Sequence, residues 1–298
     1  MMIEVRNLTK RFDGFAALDD LTLTVPDGAV YGLVGPNGSG KSTLLRHVTG
    51  VYRQDAGELL IDGQPVYENP EVKARMAYIP DDVFYFPQAG IRDMMQYYKG
   101  IYPSFDTERY EKLKEVFPLD EKQPIRRMSK GMQKQAAFWL AMCQRADIMV
   151  LDEPVDGLDP VMRRQIWGLL MADAAERGMT VLVSSHNLRE LEDVCEHVGI
   201  LDHGHLLLER SLSELQENIS KIQIALPDER PLPEGLELVH ETVTGRLRTL
   251  ILRGDPEATL QKLQECEPLF LDAVPLSLEE IFIYELGGAD YAVKDILL

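Results

Sequence analysis

Basic residues are scarce in this chain. Lysine and arginine number 31 against 49 aspartates and glutamates, giving a formal net charge of −18 and an isoelectric point near 4.8. Sequence-independent binding to nucleic acid rests on cations that neutralise phosphates, so no nucleic-acid partner is expected. The segment Ser211 to Leu298 is the least suited of all, with 17 acidic residues against 7 basic ones. Cysteine is rarer still. Cys143, Cys195 and Cys266 lie far apart with no paired spacing, which speaks against a disulfide framework or a zinc module and for reduced thiols in the cytosol. No apolar stretch approaches the roughly 18 residues that would span a bilayer. Met1-Met2-Ile3-Glu4 lacks the basic and apolar regions of a secretory leader, so a cytoplasmic location is expected. Internal repeats and low-complexity segments are absent as well. What is present is a 45% hydrophobic chain of 298 residues, enough for one large domain and one small one.

One stretch organises the remainder. Gly35-Pro36-Asn37-Gly38-Ser39-Gly40-Lys41-Ser42-Thr43 fits G-x-x-x-x-G-K-[ST]. An apolar run, Val30 to Val34, leads into it, and a helical pattern with Leu44, Leu45 and Val48 leaves it. That context of strand, glycine loop and helix is what a phosphate-binding loop requires. The glycines let backbone N–H groups turn toward β- and γ-phosphates. Lys41 adds a positive charge, and Ser42 offers a hydroxyl to Mg²⁺. The helix opening near Lys41 directs its positive end at the anion.

In chain order, Ile3–Leu8 and Leu21–Val25 alternate as half-buried antiparallel strands. Phe12, between them, is placed either against an adenine base or in the sheet core. Strands are expected over Gly57–Ile61, Met76–Pro80, Ile148–Leu151 and Thr180–Ser184, and helices over Gly131–Arg145, Val161–Arg177 and Leu188–Cys195. Residues 81 to about 127 read as an inserted helical region in which Phe84, Tyr85, Phe86, Tyr97, Tyr98, Tyr102 and Phe105 cluster. Seven rings are many for a small insertion, so some are expected to line a groove for a partner helix. Val198–Leu201 and Leu206–Leu208 form a hairpin. Its histidines His197, His203 and His205 have no acidic or cysteine partner at ligand spacing and read as surface residues. Ser211-Leu212-Ser213-Glu214 is a capping box. Beyond it, alternating strand and helix patterns give a small α+β domain over 221–298.

The second chemical motif is Ile148-Met149-Val150-Leu151 ending in Asp152-Glu153-Pro154. A carboxylate at the end of a buried strand can hold Mg²⁺ through its waters, which suits Asp152. The following Glu153 can take a proton from an attacking water. Phosphoryl transfer is mostly positioning and charge stabilisation, so one base and one metal anchor suffice.

Taken together, the residues from about 2 to 217 resemble the nucleotide-binding subunit of ABC transporters. Gly35–Thr43 matches the Walker A motif and Leu151-Asp152-Glu153-Pro154 the Walker B. Met128-Ser129-Lys130-Gly131-Met132 stands where that family has its Leu-Ser-Gly-Gly-Gln signature, Gly157-Leu158-Asp159-Pro160 matches its D-loop, His186 its switch histidine and Phe12 its adenine-stacking aromatic. The resemblance implies an α/β P-loop NTPase with a mixed sheet core, an antiparallel β subdomain and a helical subdomain over about 82–145. It implies an ATP-binding domain over 1–220, followed by the small C-terminal α+β domain. It implies an ATPase using ATP and Mg²⁺, with Glu153 polarising water and His186 touching the γ-phosphate. Ser42, Asp152 and Asp81 are the expected metal neighbours. Two such subunits close head to tail, so that Ser129, Lys130, Gly131 and Asp159 reach the partner's ATP. The remaining partner is an integral membrane transporter subunit, and the location is the inner face of the cell membrane.

Two departures from that family pattern stand out. Asp81 occupies the position of a usual glutamine, placing a carboxylate near the γ-phosphate. Lys130 and Met132 replace the signature's first Gly and its Gln. This Ser-Lys-Gly-Met variant resembles exporter-type ATPases, with acetoin-utilisation and antibiotic-export ATPases as the nearest subset. The alternatives are an ABC ATPase acting on ribosomes or DNA, and a regulatory nucleotide sensor. The single nucleotide-binding domain, the absence of coiled coils and the intact Glu153 and His186 oppose these.

Overall fold

The computed structural model describes residues 2–217, 219–228 and 231–286; residues 287–298, the end of the expected C-terminal domain, lie outside the described residues. Two compact units are present, Met1–His186 with Val194–Glu209, and Asn187–Asp193 with Arg210–Leu298.

The first unit opens with a hairpin of β1 (Ile3–Phe12) and β2 (Phe15–Val25), turned at Asp13-Gly14 with positive φ at both residues. These strands run longer than the apolar alternation predicts, because bulges carry the pairing through the polar stretch between Val5 and Arg11. There follow β3 (Val30–Val34), α1 (Lys41–Val48), β4 (Ala56–Ile61), β5 (Gln64–Pro65), α2 (Pro70–Lys73) and β6 (Met76–Ile79). The helical region supplies α3 (Ile91–Ile101), α4 (Thr107–Leu113) and α5 (Lys130–Cys143). Then come β7 (Ile148–Asp152), α6 (Pro160–Arg177), β8 (Thr180–Ser185), β9 (His197–Asp202) and β10 (His205–Ser211).

Two sheets result. One is antiparallel, in the order β2-β1-β4-β5; the other has six strands in the order β10-β9-β3-β8-β7-β6. From β9 to β6 the second sheet is parallel. Its central strands β3, β7 and β8 are buried at every position, which is why they read as unbroken apolar runs rather than alternating ones. A shared core joins the two sheets through Ile3, Val5, Leu23, Tyr31, Leu33, Leu44, Ile148 and Leu182. This is the α/β P-loop architecture expected. In the helical region, the fully buried Trp139 stacks on Tyr110 at 4.8 Å and donates its indole N–H to the Tyr110 carbonyl at 3.0 Å.

The second unit holds α7 (Leu212–Glu217), capped by Ser211, whose hydroxyl accepts from the Glu214 N–H at 3.2 Å. Its sheet is formed by β11 (Ile219–Ala225), β12 (Glu237–Thr244), β13 (Leu247–Arg253) and β14 (Phe270–Val274) in the order β12-β13-β11-β14. Helices α8 (Pro256–Gln264) and α9 (Leu278–Leu286) complete it, with a core of Ile222, Ile224, Leu250, Leu252 and Leu263. The expected helix Leu188–Cys195 is corrected to a single 3-10 turn at Leu188–Glu190 followed by turns. The Arg189 guanidinium pairs with Glu279 at 2.8 Å, and the Leu278 N–H donates to Glu192 at 3.0 Å. Tertiary contacts therefore satisfy groups that a helix would have organised locally.

Cys143 and Cys195 are buried and Cys266 is partly exposed. Burial pushes the Cys143 thiol up to about 12 and raises Cys195 as well. Both are therefore protonated at pH 8, where the thiolate is the reactive form. A maleimide is expected to label Cys266 first and the other two only on unfolding. Native-state labelling of Cys143 at the rate of Cys266, read by peptide mass spectrometry, would contradict this packing.

Candidate active site

The carboxyl ends of β3, β7 and β8 lie side by side, and the candidate residues leave from them. Register places Val34 opposite Ser185 and Asp152 opposite Ser184. In an open parallel sheet this edge is where ligands bind.

After β3 the chain must turn in very little space. A Cβ on Gly35 would stand 2.1 Å from the Leu201 carbonyl oxygen and 2.6 Å from Ser39 Oγ. Gly40 has φ +110° and caps α1 without any side-chain hydrogen bond. The first N–H groups of α1 are thus left without a side-chain acceptor, and no acidic residue sits in the first turn. Lys41 is buried and donates to the carbonyls of Gly35 at 2.6 Å and Pro36 at 3.2 Å. Burial holds its ammonium below the usual lysine range, with Glu153 and Asp152 opposing that shift. The buried Ser39 hydroxyl has no hydrogen-bond partner among the described residues. A donor-rich cradle of this kind fits a polyphosphate.

At the end of β7, Asp152 Oδ1 accepts from Ser42 Oγ at 3.1 Å and from Ser184 Oγ at 2.7 Å. Hydroxyl and carboxylate oxygens facing one another are a donor set for a hard divalent cation, so Mg²⁺ fits. Glu153 adopts φ +46°, a left-handed conformation that costs a non-glycine residue about 1–3 kcal/mol. Its backbone is held from both sides: its N–H donates to Ser184 Oγ at 3.1 Å and its carbonyl accepts from Lys134 Nζ at 2.7 Å. His186 Nδ1 lies 2.8 Å from Glu153 Oε2, and the His186 main-chain N–H donates to the same oxygen at 3.3 Å. Glu153 Oε1 is buried without a hydrogen-bond partner, 3.6 Å from Lys41 Nζ. A carboxylate anchored through one oxygen, with the other presented beside the loop lysine, is suited to accept a proton from water.

The structure thus brings together Gly35–Thr43, Asp152, Glu153 and His186. The other expected residues have different partners among the described residues. Phe12 is 39% exposed rather than in the sheet core, with its edge against Tyr52 at 5.5 Å. Asp81 forms an ion pair with Lys134 at 3.2 Å and makes no hydrogen bond to Ser42 or Asp152. Ser129 caps α5, its hydroxyl accepting from the Met132 N–H at 3.3 Å, and Lys130 begins that helix exposed. Gly131 has no room for a Cβ, which would lie 2.8 Å from the Gly157 carbonyl. Asp159 caps α6 by accepting from Val161 and Met162 N–H at 3.0 Å. Among the described residues, none of Ser129, Lys130, Gly131 and Asp159 hydrogen-bonds to the Gly35–Thr43 loop. Two participants escaped the sequence reading. Ser184 carried a signal, a polar residue at the end of a buried strand; Lys134 did not, since it stands in a basic run that reads as solvated.

Known proteins resemble this chain in sequence and in fold. The family model for ABC transporter matches residues 18–156. The ABC transporter ATP-binding protein YtrB of Bacillus subtilis is 32% identical over 290 residues, covering 96% of this chain and 99% of that protein. The Nod factor export ATP-binding protein I of Cupriavidus metallidurans is 27% identical over 296 residues, covering 96% and 97%. Among solved structures, the ATP-binding subunit of an ABC transporter superposes with a TM-score of 0.67 at 26% identity, covering 72% of this chain and 92% of that one. A dimeric ATP-binding cassette bound to ADP and Pi gives 0.64 at 21% identity, covering 70% and 98%.

Proposed function

The chain belongs to the ATP-binding subunits of ABC transporters, which are ATPases, and from that premise we propose that it closes as a dimer over two Mg-ATP and drives a membrane-embedded exporter. The observation that carries the hydrolytic part is Glu153, clamped through one oxygen by His186 with its other oxygen left without a hydrogen bond beside Lys41. Gly35, Gly38, Gly40 and the first turn of α1 hold the phosphates. On binding, Lys41 exchanges its carbonyl partners for phosphate oxygens. Ser42 and Asp152 would hold Mg²⁺, which when bound would supply positive charge to neutralise the polyphosphate. Glu153 takes the proton of the attacking water, and His186 fixes the carboxylate and faces the γ-phosphate. Phe12 lies open for an adenine ring. Ser129, Lys130, Gly131 and Asp159 would serve the ATP of the second copy, which fits the absence, among the described residues, of hydrogen bonds from them to the loop of their own chain.

A membrane partner is supported by the transporter names of the relatives and by the exposed rings. Phe84 is 79% exposed, and Phe86 and Tyr97 stand exposed with it, stacked edge to face at 5.2 Å. Among the described residues no helix is long and apolar enough to cross a membrane, so a separate subunit would supply the span. Export is supported by the Nod factor relative and by the Ser-Lys-Gly-Met signature. The test is to purify a Glu153→Gln variant with Mg-ATP from detergent-solubilised membranes and identify what accompanies it. A multi-span membrane protein in stoichiometric amount is expected; ribosomes or DNA in its place would overturn the reading.

The rings make a second expectation. Phe84→Asp with Phe86→Asp is expected to lower membrane recovery on the order of fivefold or more, the effect of losing a contact worth about 1 kcal/mol. Because both rings are exposed, the melting temperature should change little. Undiminished recovery would remove these rings from the interface.

A further inference from the structure

Lys134 is a lysine only 4% exposed, on a helix whose following residues Ala136 to Cys143 are all buried. An ammonium in such surroundings needs acceptors that compensate for lost water. Lys134 has two. The Glu153 main-chain carbonyl accepts at 2.7 Å and Asp81 Oδ1 at 3.2 Å. The carbonyl contact is the shorter, while the Asp81 side chain is 55% exposed and partly screened by solvent. Lysine reaches both acceptors because its three N–H donors diverge from one point.

We infer that Lys134 is a positioning residue for hydrolysis: it holds the Glu153 main chain in its left-handed turn and so aims the carboxylate, with Asp81 as the counter-charge that keeps the buried ammonium in place. Without Lys134, the Glu153 carbonyl keeps, among the described residues, only the Asp156 N–H at 3.4 Å. A glutamate at φ +46° relaxes once its restraints go, and the relaxed backbone carries Oε2 away from His186. The contact also makes α5, which begins at the Ser129 cap, continuous with the backbone of the base, so a displacement of the signature helix reaches Glu153 directly. It gives the departure at Asp81 a local reason: the carboxylate is paired with a cation on α5 rather than added unbalanced beside the phosphates. The kinetic part rests on Glu153 being the general base.

The test compares K134M, D81Q and D81Q/K134M in the full-length protein. Amide hydrogen exchange of the nucleotide-free protein, read over the peptide spanning Asp152 to Leu158, is expected to speed up about tenfold or more in K134M and by a smaller factor in D81Q, where the counter-charge is lost but the shorter carbonyl contact remains. In ATP hydrolysis, K134M is expected to lose roughly tenfold or more in kcat with KM within about threefold, as misplacement of a catalytic group predicts. The double variant should recover nothing over K134M. Should K134M not fold, K134R keeps the charge in a planar fork that cannot place one nitrogen on both acceptors, and intermediate losses are expected. Unchanged exchange in K134M, a kcat within twofold of native, or native turnover in D81Q/K134M would each overturn the assignment; the last would reduce Lys134 to charge balance. The exchange measurement needs no nucleotide, so its failure is distinct from failure of the general-base reading, which would show as turnover retained by Glu153→Gln.

Discussion

Replacing Glu153 with Gln is expected to leave ATP binding near native and to slow hydrolysis by about 10²- to 10⁴-fold, the usual contribution of a general base. The substitution is nearly isosteric. The amide oxygen can still accept from the His186 main-chain N–H, now at 3.3 Å from Oε2, and the left-handed backbone is untouched because Ser184 and Lys134 hold it through main-chain atoms. What is lost is the capacity of Oε1 to take a proton beside Lys41, 3.6 Å away. Binding and chemistry should therefore separate: a fluorescent ATP analogue titrates as in the native protein while single-turnover hydrolysis nearly stops. A loss under tenfold would mean that another group accepts the proton, and His186, exposed at the same edge, would be the first to examine.

Gly35→Ala is expected to abolish nucleotide binding and to lower stability. The added methyl would sit 2.1 Å from the Leu201 carbonyl oxygen and 2.6 Å from Ser39 Oγ. The second is a serine hydroxyl that can rotate away, but the first is main chain of β9 and cannot. The backbone must move, and overpacking of a closely fitted site costs typically about 1–3 kcal/mol. The same movement displaces the Gly35 carbonyl that accepts from Lys41 at 2.6 Å. A shift near 1 Å in a positioning element costs on the order of 100-fold in rate. Thermal melting and ATP titration check the two halves separately. A variant with native melting temperature and native ATP affinity would show that the loop has slack which the packing around Leu201 does not suggest.

Much of this site was legible because its physics is local. A phosphate cradle needs backbone N–H groups from consecutive residues, so its glycines, lysine and serine fall within Gly35–Thr43. A strand ending in a metal anchor followed by a base puts Asp152 and Glu153 next to each other. The fully buried parallel strands β3, β7 and β8 announced themselves as apolar runs. The inserted helical region read from the sequence is present as well, as α3, α4 and α5.

The rest depended on distance in the chain. Lys134 and Asp81 are 53 residues apart, and nothing in the run from Lys122 to Lys134 distinguishes the one lysine that is buried. Ser184 meets Asp152 only because β8 pairs with β7 in that register. Leu188, Leu191 and Val194 have helical spacing, yet the segment folds as turns with Glu279 and Leu278 as its partners. What the chain order by itself determined is the chemistry carried by contiguous residues: the loop, the strand that ends in two carboxylates, and the fold that seats them at one sheet edge. What only the tertiary structure decided is which ordinary polar side chains are drawn out of water to hold that chemistry in place. The reason is that burial and hydrogen-bond partnership are set by packing between distant segments, and an identical lysine or serine costs or stabilises according to what that packing places beside it.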